Sequence, residues 1–302
     1  AGGAAGLRDR GGARYDAPVY LLDLTAARRR APGALVTTPL GAIHARVTGS
    51  GPPVVLLHGI TESTETFVEL QDALAPVATV HAVDLPGHGY SDIPARALSL
   101  DEMASWVEAY MAHAGLERAV VVGWSLGGGV ALSLAARAPG RVAALVLLGA
   151  VGPRMPMPRG LGLLRLPLVA EMFTRALADP RFRRAALRDV YHRSFTPSGA
   201  VVDRYARAWR VRGRAAYLRS LMRGVDVAPL EACLGAVRAK TWVLHGVSDR
   251  IVPLSTAQHS AARLPDAALD ALASTGHAPH LERPDAVRAA IEAALAHAAR
   301  GG

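Results

Sequence analysis

Two apolar textures alternate along this chain. Short, nearly unbroken runs have the length and β-branched content of strands buried on both faces of a parallel sheet: Val54-Val-Leu-Leu-His58, Ala78-Thr-Val-His-Ala-Val83, Val120-Val-Val-Gly123, Val142-Ala-Ala-Leu-Val-Leu-Leu148 and Thr241-Trp-Val-Leu-His245. Longer amphipathic stretches separate them and predict helices over residues 64–74, 99–114, from the turn after Ser125 to about 138, from about 255, and over 284–299. Ser99-Leu-Asp-Glu102 is a capping-box pattern, and Pro284 suits the first turn of the last helix. Upstream, Ala34-Leu-Val-Thr-Thr38 and Ala42-Ile-His-Ala-Arg-Val47 flank Pro39-Leu-Gly41, an antiparallel hairpin at a sheet edge; Ala267-Ala-Leu-Asp-Ala-Leu272 is a further short strand. Alternation of strands and helices at these lengths implies right-handed crossovers and a mainly parallel, twisted sheet covered on both faces.

The texture changes after Gly152. Pro153-Arg-Met-Pro-Met-Pro158 leads into aliphatic residues to Phe173, then into arginine-laden helical stretches to about Gly224, with no good strand candidate. Residues 151–235 therefore predict a mostly helical insertion in a core made of residues 34–150 plus 236–302. Residues 1–33, rich in Ala, Gly and Arg, read as an N-terminal arm with a possible helix near Val19-Tyr-Leu-Leu-Asp-Leu24, outside the core.

Composition narrows the class. A chain of 302 residues accommodates one large α/β domain with its insertion. No apolar run approaches the length that spans a bilayer, so the expectation is a soluble, cytoplasmic protein, a secreted or anchored form staying open because the chain begins at Ala1. The single cysteine, Cys233, permits no internal disulfide. The net charge of +9 is almost wholly arginine, because Lys240 is the only lysine, and residues 151–235 hold 16 arginines against six acidic residues, a balance of +10. Such a patch can attract an acidic substrate or an anionic membrane surface, but solvated arginine faces on amphipathic helices account for it more simply. Nucleic acid fits poorly, since aromatics are scarce and no nucleic-acid motif accompanies the arginines.

The candidate chemistry centres on Gly123-Trp-Ser125-Leu-Gly127, where an apolar strand turns at once into a helix. Gly-x-Ser-x-Gly in that setting is a nucleophile elbow: the glycines permit a turn too tight for a Cβ, and Ser125 is lifted clear of the sheet beside a helix N-terminus. A serine hydroxyl needs a base, and the base needs a third group to hold its tautomer. Asp249, in Gly246-Val-Ser-Asp249 after a strand end, is the acid; the stretch after Leu148, Gly149-Ala150, offers no carboxylate. Of 11 histidines, only His277 and His280 lie in a loop at the right point in the order, and His277, freed by Gly276, is the base, with His280 a packing or hydrogen-bonding residue near the last helix. The oxyanion donors are the backbone N–H groups of Leu126 and of Ile60, which follows His58-Gly59.

Taken together, His58-Gly59-Ile60, Asp84-x-Pro-Gly-x-Gly-x-Ser91, Gly123-x-Ser125-x-Gly127-Gly128, Gly246-x-x-Asp249 and Gly276-His277-x-Pro-x-x-Glu282-x-Pro284 resemble the α/β-hydrolase superfamily over residues 34–299. The resemblance implies an α/β-hydrolase fold with a mostly parallel eight-stranded sheet, a helical cap at residues 151–235 and a Ser-His-Asp triad. It is nearest to the cap-bearing branch of esterases, C–C bond hydrolases and epoxide hydrolases. Epoxide hydrolases and haloalkane dehalogenases of the superfamily carry an aspartate where this chain has Ser125, which sets those activities aside. The loop of Asp84 and His88 is largely structural in the family, His58 is expected to brace the oxyanion loop, and Trp124 to pack beneath the elbow. Met155, Met157, Leu161, Leu163, Leu164, Leu166, Met172 and Phe173 are candidates for an apolar entrance or for the cap's own core.

The leading expectation is a serine hydrolase that cleaves a small to medium apolar carboxylic ester through an acyl-enzyme, without cofactor or metal: no Cys/His cluster or His-Glu-x-x-His pattern is present. A C–C hydrolase of vinylogous diketones, with a cap arginine on a substrate carboxylate, is the alternative within the fold. A ligand receptor, or a lyase or cyclase that keeps the triad, is the alternative from another class.

Overall fold

Eight strands form one sheet in the order β1-β2-β4-β3-β5-β6-β7-β8: β1 Ala34–Thr38, β2 Gly41–Thr48, β3 Pro53–Leu57, β4 Thr79–Val83, β5 Ala119–Trp124, β6 Val142–Leu148, β7 Thr241–Gly246 and β8 Ala267–Leu272. The computed structural model describes residues 22–156, 161–179, 182–183, 185 and 187–301. The β1–β2 hairpin is antiparallel and joins β4 antiparallel; every other pairing, from β4–β3 to β7–β8, is parallel. The chain thus has the α/β-hydrolase fold that its motifs led one to expect.

The continuous apolar runs follow from burial on both faces. Successive side chains of a strand point to opposite sides, so Val55, Leu57, Val121, Leu145 and Val243 enter one core, and Val54, Leu56, Val120, Val122 and Val146 the other. After α1 (Leu24–Arg28), which lies outside both, the first core is closed by helices α3 (Leu100–His113) and α4 (Leu126–Arg137), the second by the short helix α2 (Val68–Leu74) and the closing helix Pro284–Ala299. Every residue of β5 and β6 is buried, each Val or Leu contributing about 1.5–3 kcal/mol relative to exposure. Edge strand β8 alternates half-buried and exposed positions over its first four residues.

Local signals set the boundaries. Ser99 and Glu102 form the expected reciprocal capping box on α3. The stretch expected as one helix over 64–74 is instead a 3-10 turn, Thr64–Phe67, capped by Ser63, followed by helix Val68–Leu74. Phe67 is fully buried at the junction with φ −106° and ψ 10°, so packing interrupts the regular helix there.

Two further differences concern the ends of segments. Residues 1–21 lie outside the described residues, but 22–33 are tied to the rest of the chain. Leu22 bridges Val211, Ala27 is buried against Tyr90 and Val211, and Arg28 pairs with Asp92 at 2.7 Å. In the insertion, a 3-10 turn at Leu161–Arg165 precedes α5 (Pro167–Leu177), α6 (Gly199–Arg207) and α7 (Arg214–Gly224). The next helix, Leu230–Ala236, places Leu230 and Leu234 in the same core cluster as α4, so the last part of the stretch read as insertion packs with the core.

Candidate active site

Strand β5 ends at Trp124 and α4 begins at Leu126, which leaves Ser125 alone to make the turn. It does so at φ 53° and ψ −117°, a region non-glycine residues rarely occupy. A Cβ on Gly123 would stand 2.6 Å from Gly128 Cα, and one on Gly127 would stand 2.6 Å from the His58 carbonyl oxygen, so glycine at both positions is a steric requirement.

Ser125, His277 and Asp249 converge at the carboxyl ends of β5, β7 and β8. His277 Nε2 is 2.9 Å from Ser125 Oγ, and Nδ1 is 2.7 Å from Asp249 Oδ2. One neutral tautomer satisfies both contacts, with Nδ1–H donating to the carboxylate and Nε2 accepting the serine hydroxyl. The Asp249 side chain is fully buried, and its other oxygen accepts the N–H groups of Ile251 at 2.8 Å and Val252 at 2.9 Å. Those two backbone bonds fix the carboxylate plane against the imidazole.

The loop bearing His277 is anchored from several sides. Glu282 accepts the N–H of Gly276 at 3.0 Å and that of His192 at 2.8 Å; the His277 N–H donates to Val190 O at 2.6 Å; and the Trp124 indole N–H donates to His277 O at 2.7 Å. Sequence reasoning placed Trp124 beneath the elbow but missed this bond, and gave Glu282 no role beyond its place in the motif. Regular spacing from His277 was the only signal available for it. His280 is buried, with its ring 4.5 Å from that of Trp124 and Nε2 3.0 Å from Thr66 Oγ1, and burial pushes its pKa down to about 3.

The two backbone donors flank the serine. Leu126 is the first residue of α4, so its N–H has no intrahelical acceptor. Ile60 follows Gly59, whose added Cβ would stand 3.1 Å from Ser125 Cβ, and this close approach lays residues 59–62 along the elbow. Beneath that loop, His58 Nδ1–H donates to Gly59 O at 2.8 Å and Nε2 accepts the Leu85 N–H at 3.0 Å, while burial lowers its pKa and keeps it neutral. Asp84 accepts from Thr64 N–H, Tyr90 N–H and His44 Nδ1, each at 2.7 Å. Against the cost of complete burial, His44 and these bonds hold its carboxyl at about 2, so Asp84 is a pin between loops. Burial lowers His88 to about 3, and its Nδ1–H donates to Pro86 O at 3.1 Å.

A cavity of about 180 Å³ is lined by Ser125 and His277, and by Leu164, Phe173, Leu177, Leu218 and Met222 of the insertion. Of the entrance candidates, Leu164 and Phe173 line it. Leu163, Leu166 and Met172 point into solvent, Met155 packs against the core, Met157 lies outside the described residues, and so does the side chain of Leu161. Helix phase explains the division: Phe173 and Leu177 share the inner side of α5, whereas Met172 falls on the outer side. Sequence reasoning missed two charged residues in the wall, Glu62 and Arg183, joined at 2.5 Å. Burial raises Glu62 to about 7 against the pull of Arg183. Among the described residues, no group of three His, Cys, Asp or Glu side chains is placed to hold a metal ion.

Comparison with known proteins agrees with this architecture. Residues 52–284 match the family described as alpha/beta hydrolase fold. The chain is 32% identical over 252 residues to a pimeloyl-[acyl-carrier protein] methyl ester esterase of Nitrosomonas europaea, covering 82% of this chain and 96% of that one. It is 31% identical to a 2-hydroxymuconate semialdehyde hydrolase of Pseudomonas sp. strain CF600, covering 78% and 83%. The solved structure of 2-hydroxy-6-oxo-6-phenylhexa-2,4-dienoate hydrolase from Rhodococcus sp. strain RHA1 superposes with a TM-score of 0.72 at 26% identity, covering 86% of this chain and 97% of that one. The chain belongs to the α/β-hydrolase family, and it is an enzyme of the type that cleaves ester or C–C bonds.

Proposed function

We propose that this protein is a serine carboxylesterase acting through an acyl-enzyme. The carrying observation is the unbroken chain Ser125 Oγ, His277 and Asp249, at 2.9 and 2.7 Å, opening on an apolar cavity. His277 removes the proton as Ser125 attacks the ester carbonyl, Asp249 stabilises the imidazolium, and the N–H groups of Leu126 and Ile60 receive the oxyanion. His277 then protonates the departing alkoxide. A water molecule, deprotonated by the same imidazole, releases the acid and restores Ser125. The insertion acts as a cap, with Leu164, Phe173 and Leu218 taking the apolar part of a small to medium ester.

Two observations favour an ester over a vinylogous diketone. Arg183 is the one cationic Lys or Arg among the described residues of the wall, and its Nη2 is already taken up by Glu62. The first relatives are named for an ester substrate. The second reading, C–C hydrolysis, draws on Arg183 itself, whose Nε and Nη1 have no hydrogen-bond partner among the described residues and could meet a substrate carboxylate. The test is turnover of p-nitrophenyl acyl esters beside a ring-cleavage dienoate, with fluorophosphonate labelling of the serine. Ser125→Ala is expected to abolish both labelling and ester turnover; ester turnover at the parent rate in that variant refutes the proposal.

A further inference from the structure

Helix α5 presents apolar side chains on two opposite sides. Phe173 and Leu177 face the cavity, and Ala170 and Thr174 are buried, whereas Leu168 is 71% exposed and Met172 62% exposed. Residues four and seven apart lie on one helical face, so Leu168, Met172 and the exposed Arg175 form a stripe along the outer side. The turn before α5 adds Leu163 at 59% and Leu166 at 52%. Leu168, Met172 and Leu163 are the three most exposed large apolar side chains among the described residues; of those outside the insertion, Leu35, Leu40 and Val47 belong to the β1–β2 hairpin and are each less exposed. A contiguous patch of this kind, rimmed by polar groups, marks an interaction surface.

The rim is basic. Arg165, Arg175 and Arg223 are exposed beside the leucines; Arg175 pairs with Glu171 of the same stripe at 2.9 Å, Arg165 Nε donates to the Met222 carbonyl at 2.9 Å and Arg223 Nη2 to the Arg165 carbonyl at 2.8 Å, so three arginines stand against one carboxylate on this face. They belong to the stretch with 16 arginines against six acidic residues. From this conjunction we infer that the outer face of α5 and the turn before it dock on an anionic lipid surface. The aliphatic side chains enter the boundary between headgroups and acyl chains, and the arginines meet lipid phosphates. A protein partner is a poorer match, because interface cores favour aromatic side chains and leucine is under-represented at their energetic centres.

The same helix that meets the lipid also forms a wall of the catalytic cavity, so the arrangement suits an ester dissolved in a bilayer. That last step rests on the esterase reading; the docking itself does not.

Sedimentation of the full chain with vesicles tests the inference, using phosphatidylcholine alone and phosphatidylcholine mixed with phosphatidylglycerol. The protein is expected to bind the mixed vesicles, to bind phosphatidylcholine more weakly, and to be released by salt. The double variant Leu168→Asp, Met172→Asp is expected to lose about tenfold or more of this affinity while keeping its turnover of p-nitrophenyl acetate. Failure of the parent protein to bind mixed vesicles, or equal binding by the double variant, overturns the inference. So does a dimer of the parent protein that the double variant converts to monomer, because the face is then a contact between copies. Vesicle binding without any ester turnover leaves the docking surface standing and removes the esterase reading instead.

Discussion

Trp209 in the insertion donates its indole N–H to the carbonyl oxygen of Thr61, 2.6 Å away, and Thr61 holds a left-handed φ of 65°. Thr61 directly follows Ile60, and the next residue, Glu62, is held by Arg183, also from the insertion. The loop proposed to supply one oxyanion donor is thus fixed from above by two side chains distant in sequence, in a conformation that a threonine does not adopt unaided.

Replacing Trp209 by Phe keeps most of the packing volume and removes the N–H. The expected result is a kcat about tenfold lower with little change in KM, because a hydrogen bond of roughly 1–1.5 kcal/mol that positions the loop is lost while the apolar wall remains. Steady-state kinetics on p-nitrophenyl esters measure the split. An unchanged kcat with a raised KM would place Trp209 in substrate binding and leave the loop position independent of it.

Gly127→Ala tests the elbow's steric argument. The new Cβ would collide with the backbone carbonyls of Leu57 and His58, which belong to β3 and its outgoing turn and cannot rotate away as a side chain can. Overpacking against backbone is expected to cost about 3 kcal/mol or more, read as a drop in urea midpoint together with loss of fluorophosphonate labelling. Ala at Gly140, which meets nothing within 4 Å, serves as the control and is expected to leave the midpoint unchanged.

Sequence reasoning reached the parts of this molecule governed by local rules. The unbroken apolar runs of β3 and β5, the Ser99 capping box and the single-residue turn at Ser125 all follow from neighbours in the chain. It also named Ser125, His277 and Asp249, which the structure brings together, because a five-motif order constrains which loops meet at the carboxyl edge of a parallel sheet. What it missed depends on contacts between distant segments. Neither Glu62 nor Arg183 carries a local signal, and their pairing exists only because the insertion folds back over residues 59–62. The division of α5 into a cavity side and an outer side was likewise hidden: one wide apolar arc runs from Leu168 and Met172 round to Phe173 and Leu177, so the pattern alone could not say which part of it turns inward.

Acid stability should be set by buried neutral histidines. Burial holds His88 and His280 at about 3, and lowers His58 and His245 as well. An unfolded chain protonates these side chains near 6.5, so below that pH the unfolded state takes up more protons and stability falls with falling pH. The contribution is complete above 6.5 and is lost progressively toward 3. Glu62, raised to about 7 by burial, works the other way: its contribution is complete below the unfolded value of 4.5 and is lost as pH rises through 7. His44, raised against burial by Asp84, and Glu65, raised by burial, act in the same direction as Glu62, but the five lowered histidines, His81 included, outnumber these three, so the melting temperature is expected to drop between pH 7 and pH 5. His280→Gln, which can keep a bond to Thr66, should flatten that slope; a melting temperature that rises on acidification contradicts the assignment.

Asp249→Asn separates tautomer control from simple architecture. In the parent protein the carboxylate accepts from three sides, His277 Nδ1–H and the N–H groups of Ile251 and Val252. An asparagine of the same shape can still accept the two backbone bonds through its carbonyl oxygen, so the loop and the fold should persist. Its NH2 group then faces His277, where it can only donate, and Nδ1 must accept. The imidazole proton moves to Nε2, which is then turned as a donor toward Ser125 Oγ and can no longer take the hydroxyl proton. A kcat roughly four orders of magnitude below the parent is expected at neutral pH, with the melting temperature nearly unchanged. Asp249→Ala, which also strips the acceptors from Ile251 and Val252, should lose stability in addition. If Asp249→Asn keeps parent-level turnover, the acid that orients His277 is a different group.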